Sequence, residues 1–431
     1  MSELDAGPLV VFANFLSDLA VDLDEGQVLE QWAQQAPRKA WLLRAGDVLV
    51  TPGPLSAEFR RYVSELTGVP QERAAVVEVP PSGAVPLAQA VVRAGLFERV
   101  RALARRPGTA LLPTAQDASA LAFARDLGLT VHPYGTVDEA FAALPTTMLL
   151  NTKAGFRQAA EHVGMRLPQG RVCRRPEVED VVRRLLERHE RVVVKPDRSA
   201  GGHGLRFLSR DDVRGTGLAL ATVGGPQGTW VVEECVPVAE SVSIQMENTA
   251  SGTRALFSGA MRTERGSFTG YVSPLPAACA HAAAELEEWG TGLGRHLAAH
   301  GYLGPFGLDA LISTDGVTYA SESNVRRTAT TTPHTMVARL TAAAGIDPPA
   351  WAVSKRRTRR PVAFEDALGR LHAHRIAFDL DRGEGVVLYA DAPPDGRSWR
   401  YAVIAAQGSR VRELERALAT ALEFEEARPG P

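Results

Sequence analysis

Gly307-Leu308-Asp309-Ala310-Leu311-Ile312-Ser313-Thr314-Asp315-Gly316-Val317-Thr318-Tyr319-Ala320-Ser321-Glu322-Ser323-Asn324 sets two alternating apolar segments around an Asp-Gly pair. Asp-Gly between such segments is a strong signal for a two-residue hairpin turn. With Asp315 and Gly316 as the loop, Thr314 faces Val317, Leu311 faces Ala320 and Asp309 faces Glu322. Directly opposed residues have Cβ atoms about 4.5–5.5 Å apart, and Asn324 projects from the same face as Glu322. Two carboxylates placed this way repel each other unless a cation lies between them. Mg²⁺ suits the position, because it takes carboxylate and amide oxygens at about 2.0–2.1 Å and shares its shell with substrate phosphates. The competing reading is a register slip of one residue that turns Glu322 to solvent.

Around this hairpin the chain reads as strands at 229–234, 242–247, 254–262 and 306–324, with one amphipathic helix whose Leu286, Trp289, Leu293 and Leu297 share a face. This part is α+β. Upstream, from 1 to about 150, short apolar runs at 9–13, 48–51, 75–79 and 110–112 alternate with helical patterns, which marks a parallel sheet with crossover helices. A helix is expected at 151–163, capped by Asn151 or Thr152, and another at 176–189 before a strand at 191–195. The densest basic run, 355–360, reads as a linker. Beyond it a small appended unit is expected, with strands near 376–380 and 386–390, a turn at 393–396 and a last helix at 411–424.

The 431 residues suffice for about three domains, and 48 basic against 50 acidic side chains leave a net charge of −2. Such a balance gives no broad attraction for nucleic acid or an anionic membrane. No apolar run approaches the roughly 20 residues of a membrane span, and the start of the chain does not read as a secretory signal. Cys173, Cys235 and Cys279 are odd in number and widely spaced, which argues against a disulfide framework and for a reducing cytoplasm.

Lysine is scarce. Only Lys39, Lys153, Lys195 and Lys355 occur among the 48 basic residues. Where a composition so biased toward arginine keeps lysine, a compact point charge is indicated. Lys195 ends an apolar strand and opens Pro196-Asp197-Arg198-Ser199-Ala200-Gly201-Gly202-His203-Gly204, a glycine-rich loop between strands whose backbone can approach phosphate oxygens and close as a lid. The loop lacks the Gly-Lys-Ser/Thr ending of a P-loop, and the chain lacks the dinucleotide fingerprint.

The order of these parts resembles the ATP-grasp superfamily of carboxylate–amine ligases. It runs from Lys153 and Lys195 with its loop through Glu233-Glu234-Cys235-Val236, Glu240, Arg262 and Asp309 to Glu322-Ser323-Asn324-Val325-Arg326. The resemblance covers 151 to about 333. It implies an ATP-grasp fold of α/β plus α+β type: an α/β pre-ATP-grasp domain at 1–150, ATP-binding subdomains at 151–237 and 238–354, and a basic linker with a small unit at 355–431. It further implies that Lys153 and Lys195, with Gly201, Gly202, His203 and Gly204, hold the ATP phosphates. Glu233, Glu234 and Val236 would line the adenine, and Glu240 would meet the ribose. Arg262 would neutralise the γ-phosphate, Asp309, Glu322 and Asn324 would carry Mg²⁺, and Arg326 would stabilise the tetrahedral intermediate.

Gly307 departs from the arginine common two residues before the first metal-binding acid in dipeptide-forming members. The whole-chain layout looks like the peptide ligase of pheganomycin biosynthesis and its relatives. That likeness implies a small carboxylate and a peptide amine as partners, with no nucleic acid or membrane and with a homodimer left open. Two small amino acids as substrates, or a non-catalytic ATP-binding regulatory module, are the rival expectations.

Overall fold

The computed structural model describes residues 7–15, 17, 35–80, 82–83, 85–198, 204–213, 228–264 and 267–425. The first sheet is parallel, with β1 (Leu9–Phe12), β2 (Val48–Pro52), β3 (Ala75–Val79), β4 (Ala110–Pro113) and β5 (Thr130–Val131) in the order β3-β2-β1-β4-β5. Every residue of Leu-Val-Val-Phe in β1 is buried, as a strand covered on both faces requires. The helices are α1 (Ala57–Thr67), α2 (Leu87–Arg93), α3 (Phe97–Leu103), α4 (Ala118–Leu127) and α5 (Val137–Leu150). The strand order reverses between β1 and β4. At that switch point Asn14 ties the two strand ends, its Nδ2 donating to Ala115 O at 2.7 Å and its Oδ1 accepting from Thr114 N at 2.8 Å. Open α/β sheets bind ligands in this crevice.

The second sheet is antiparallel, with β6 (Gly170–Arg174), β7 (Arg191–Pro196), β8 (Arg206–Ser209) and β9 (Thr229–Glu234) in the order β6-β9-β7-β8. It follows α6 (Lys153–His162) and packs on α7 (Val178–Leu186), whose Val178, Val181, Val182 and Leu186 meet Val192, Val194, Trp230 and Val232.

The third sheet has eight strands in the order β14-β13-β10-β11-β12-β15-β17-β16. They are β10 (Val238–Thr249), β11 (Gly252–Glu264), β12 (Ser267–Ser273), β13 (Gly304–Ser313), β14 (Thr318–Asn324), β15 (Ala350–Arg357), β16 (Gly385–Leu388) and β17 (Ser398–Ala405). On this sheet lies α8 (Ala280–Ala299), with the expected Leu286, Trp289, Leu293 and Leu297 buried. The remaining helices are α9 (Thr331–Thr341), α10 (Phe364–Ala373) and α11 (Gly408–Ala421). Among the described residues no helix is long and apolar enough to cross a membrane.

Two expectations for the tail are corrected. Lys355–Arg357 is no linker but the end of β15, with Lys355 opposite Arg400, Arg356 opposite Trp399 and Arg357 opposite Ser398. Its charge is met locally, since Arg357 Nη1 lies 3.0 Å from Asp395 and Arg356 Nη2 donates to Glu425 O at 2.9 Å. The small unit that follows is packed onto the rest of the chain. Its strands continue the third sheet, and Phe364, Leu371, Trp399 and Tyr401 share one core with Trp41, Phe59 and Tyr62 of the amino-terminal part. Trp41 Nε1 donates to Tyr389 O at 2.9 Å across that seam. The expected strand at 376–380 is reduced to isolated pairings of Ala377 with Val386 and Asp379 with Glu384.

Candidate active site

The β13–β14 hairpin closes one residue away from the expected turn. Ser313 N donates to Val317 O at 2.9 Å, so the loop is Thr314-Asp315-Gly316, and Leu311 pairs with Tyr319 instead of Ala320. Gly316 adopts φ +83°, the left-handed position that closes such a loop. Further along, Ala310 stands opposite Ala320 while Asp309 stands opposite Glu322, so Ser321 is an extra, bulged residue. The bulge reverses the shift made at the turn and leaves the two acids face to face.

Burial first, and then the Glu322 charge, push the Asp309 carboxyl well above the ordinary carboxylate range. Asn324 Nδ2 donates to Asp309 Oδ2 at 2.9 Å, and Lys153 Nζ lies 3.5 Å from Glu322 Oε2. Arg326 is pulled below its usual range by burial, while Glu322 and Asp309 oppose that pull. Among the described residues no group of three or more His, Cys, Asp or Glu side chains is placed to hold a metal. The donors here are two carboxylates and an amide. That set fits Mg²⁺, which fills the rest of its shell with water and phosphate oxygens.

Both lysines are set by one junction. Thr152 caps α6, its Oγ1 accepting from Gly155 N at 3.0 Å, and this starts the helix at Lys153. Asp197, two residues past Lys195, accepts from Lys153 N through its carbonyl at 2.9 Å and from Ala154 N through Oδ1 at 2.8 Å. The end of β7 is thereby fixed to the start of α6. Lys195 Nζ lies 2.5 Å from Glu233 Oε2, and Arg157 Nη1 lies 2.9 Å from Glu233 Oε1. A cleft of about 750 Å³ opens beside this junction, lined among others by Thr152, Ala154, Arg157, Gly170, Asp197 and Thr229, and does not reach Asp309 or Glu322.

The other described residues named from the sequence lie on or beside β8, β9, β10 and β11. The Glu234 carboxylate accepts from Gln169 N at 2.7 Å and lies 3.2 Å from His189 Nδ1. Val236 is buried just after β9, and Glu240 pairs with Ile312 early in β10. Gly204 is described, whereas Gly201, Gly202 and His203 lie outside the described residues. Arg262 donates to Ser354 Oγ at 2.6 Å and to both Glu415 oxygens at 2.6 and 2.8 Å. A guanidinium held in this two-pronged way by α11 already has a carboxylate partner. Replacing Glu415 by Gln is expected to lower stability by about 1 kcal/mol, read as a shift in the urea midpoint.

Three participants escaped the sequence reading. Asn151, read only as a cap, accepts from Arg326 Nη1 at 2.5 Å and from Val325 N at 3.1 Å. Asp197 and Arg157 carry no motif, and only their neighbours in space give them a role. At Gly307 a Cβ would stand 2.8 Å from Gln245 Nε2, so the Gln245 amide occupies the room of the missing arginine stem and accepts from Thr328 Oγ1 at 2.9 Å. Finally, Arg327 N donates to Thr114 O at 3.1 Å, which joins the segment after Asn324 to the switch point of the first sheet.

Residues 36–129 match the Pre ATP-grasp domain family, and residues 366–418 match the PGM1 C-terminal domain family. No curated protein matches the sequence. Among solved structures, the chain is similar to N5-carboxyaminoimidazole ribonucleotide synthetase from Thermus thermophilus, with TM-score 0.58 and 14% identity over 98% of this chain and 99% of that one. It is similar to the biotin carboxylase–βγ-ATP complex from Campylobacter jejuni, with TM-score 0.58 and 11% identity over 97% of this chain and 92% of that one. It is also similar to N5-carboxyaminoimidazole synthase from Aspergillus clavatus in complex with ADP and 5-aminoimidazole ribonucleotide, with TM-score 0.56, 13% identity and coverage of 97% and 99%. At such identities the likeness is one of architecture. The chain is built on the ATP-grasp fold, with a pre-ATP-grasp domain in its amino-terminal part.

Proposed function

We propose that the chain is an ATP-dependent, ADP-forming carboxylate–amine ligase that joins an amino-acid-derived carboxylate to the N-terminal amine of a short peptide, in the biosynthesis of a peptide natural product. One observation carries the reading: Lys153 meets Glu322, Glu322 opposes Asp309, and the Arg327 segment abuts the switch-point crevice. Phosphate-binding charge, metal-binding acids and a substrate crevice then share one seam. Two of the structures similar in fold were solved with adenine nucleotides, as a βγ-ATP complex and with ADP.

Mg²⁺ held by Asp309, Glu322 and Asn324 would supply charge neutralisation on the β- and γ-phosphates. Lys153 and Lys195 hold phosphate oxygens, Val236 and the adjoining strand end receive the adenine, and Glu240 accepts hydrogen bonds from the ribose. Hydroxide is a poor leaving group, so the substrate carboxylate is activated first. It attacks the γ-phosphorus, giving an acyl phosphate and ADP. The amine then attacks the acyl carbon, and phosphate departs with the C–O bond electrons and takes up the proton that the amine gives up. Arg326, steadied by Asn151, stabilises the oxyanion that forms in between.

Oxygen-18 in both oxygens of the acid substrate is expected to appear in released phosphate, one atom per amide formed, by mass spectrometry. Amide formation with unlabelled phosphate would reject the acyl-phosphate route. Acceptors of increasing length separate a peptide amine from a free amino acid, and the peptide reading requires the longer acceptors to turn over faster.

A further inference from the structure

Where the amino-terminal part meets β16 and β17, three cations gather with no acid paired to them among the described residues. Arg38 and Lys39, on the 3₁₀ turn Ala36–Leu42, are 4% and 1% exposed. Arg400 lies on β17, where its carbonyl accepts from Tyr389 N at 3.1 Å, beside the ring that Arg38 covers. Among the described residues no Asp or Glu forms an ion pair with any of the three. The Arg38 guanidinium carbon sits 5.2 Å from the Phe15 ring centre and 5.5 Å from that of Tyr389, and Lys39 Nζ sits 5.4 Å from Phe15.

The hydrogen bonding is equally incomplete. Lys39 Nζ donates to Thr332 Oγ1 at 2.7 Å. Among the described residues buried Arg38 Nε has no hydrogen-bond partner, and the buried Tyr389 hydroxyl has none of ordinary geometry. Thr332 is the second residue of α9, so the positive end of that helix adds to the field. Burial, with Arg38 adding to it, draws Lys39 down to about 7 and Arg400 down to about 10. Buried charges of one sign are costly unless something of the other sign completes them.

Position supplies the rest. Phe15 follows β1 at its carboxyl end, one residue past the Asn14 that ties β1 to β4. Thr332 lies on the segment that carries Arg326 and Arg327, and Arg327 is bonded to Thr114 at the same switch point. The cations therefore border the crevice in which a substrate would lie beside the acids.

We infer that Arg38, Lys39 and Arg400, with Tyr389 and Thr332, bind an oxyanion carried by a substrate, a carboxylate or phosphate group distinct from the carboxyl that reacts. Its assignment to a substrate rests on the ligase reading; the binding of the anion does not.

The test is thermal unfolding of the nucleotide-free full chain in inorganic phosphate, in succinate and in chloride at matched ionic strength. Phosphate or succinate is expected to raise the midpoint of the natural protein by about 2 °C or more over chloride, and the shift is lost in Lys39→Met and in Arg400→Met. In chloride, Lys39→Met melts no lower than the natural protein, because an unpaired buried charge has been removed. A larger effect of phosphate marks a phosphate group, and a larger effect of succinate a carboxylate. Equal shifts in all three proteins, or no shift with either anion in the natural protein, overturns the site. Anion binding without oxygen-18 transfer would sink the ligase reading alone, and the reverse result would sink this site alone.

Discussion

Glu322→Gln is expected to lower ATP-dependent turnover by at least about 10³-fold, because several kcal/mol of transition-state charge stabilisation by a metal depends on that carboxylate. The substitution keeps the side chain's shape and one oxygen but removes the charge opposite Asp309 and the partner 3.5 Å from Lys153 Nζ. It also relieves the Glu322 repulsion that adds to burial in raising the Asp309 carboxyl. The variant should therefore fold at least as well as the natural chain while failing as an enzyme, which separates function from stability. Asp315→Asn in the loop of the same hairpin is the control. Asp315 accepts from Ser313 Oγ and touches neither acid, so turnover is expected to stay within about twofold. Radiolabelled ADP release measures both variants. Near-normal turnover in Glu322→Gln would remove the hairpin from the chemistry.

The same hairpin shows how much a sequence can say. Alternation and the Asp-Gly pair located the strands and the facing acids, since both follow from local periodicity. The turn is one residue longer than the Asp-Gly pair implies, and the bulge at Ser321 offsets the difference; neither feature alters the alternation that flags a strand. Lys153 and Lys195 were legible for a different reason, because scarcity of lysine makes each one conspicuous. What the sequence hid was contact across distance. Nothing near Arg262 announces Glu415, 153 residues away, and nothing in Lys355–Arg357 separates a charged strand end from a linker until β17 lies beside it. Lys39 stands out only as one of four lysines in the sequence, and its meaning depends on Thr332, which only the folded chain brings near.

Glu233 carries the second large effect, this time on stability. Its carboxylate is 6% exposed, and the Arg157 and Lys195 side chains that flank it are each 11% exposed. Replacing Glu233 by Leu leaves two buried cations facing one another, and breaking a buried pair from one side costs about 3–5 kcal/mol. Arg157→Met should cost less, because Glu233 keeps Lys195 at 2.5 Å. Restoring balance in the double variant Arg157→Met/Glu233→Leu removes one charge of each sign and is expected to recover a good part of the loss, an interaction of the size seen within such networks. Urea unfolding monitored by tryptophan fluorescence reports it directly, since Trp230 lies on β9 with Glu233. The same measurement joins stability to nucleotide. If Lys195 receives a phosphate, ATP supplies the negative charge that Glu233→Leu has removed, and so raises the midpoint of that variant more than that of the natural chain. A cost under about 1 kcal/mol for Glu233→Leu would mean that water satisfies the two cations. An ATP effect no larger in the variant than in the natural chain would detach Lys195 from the triphosphate.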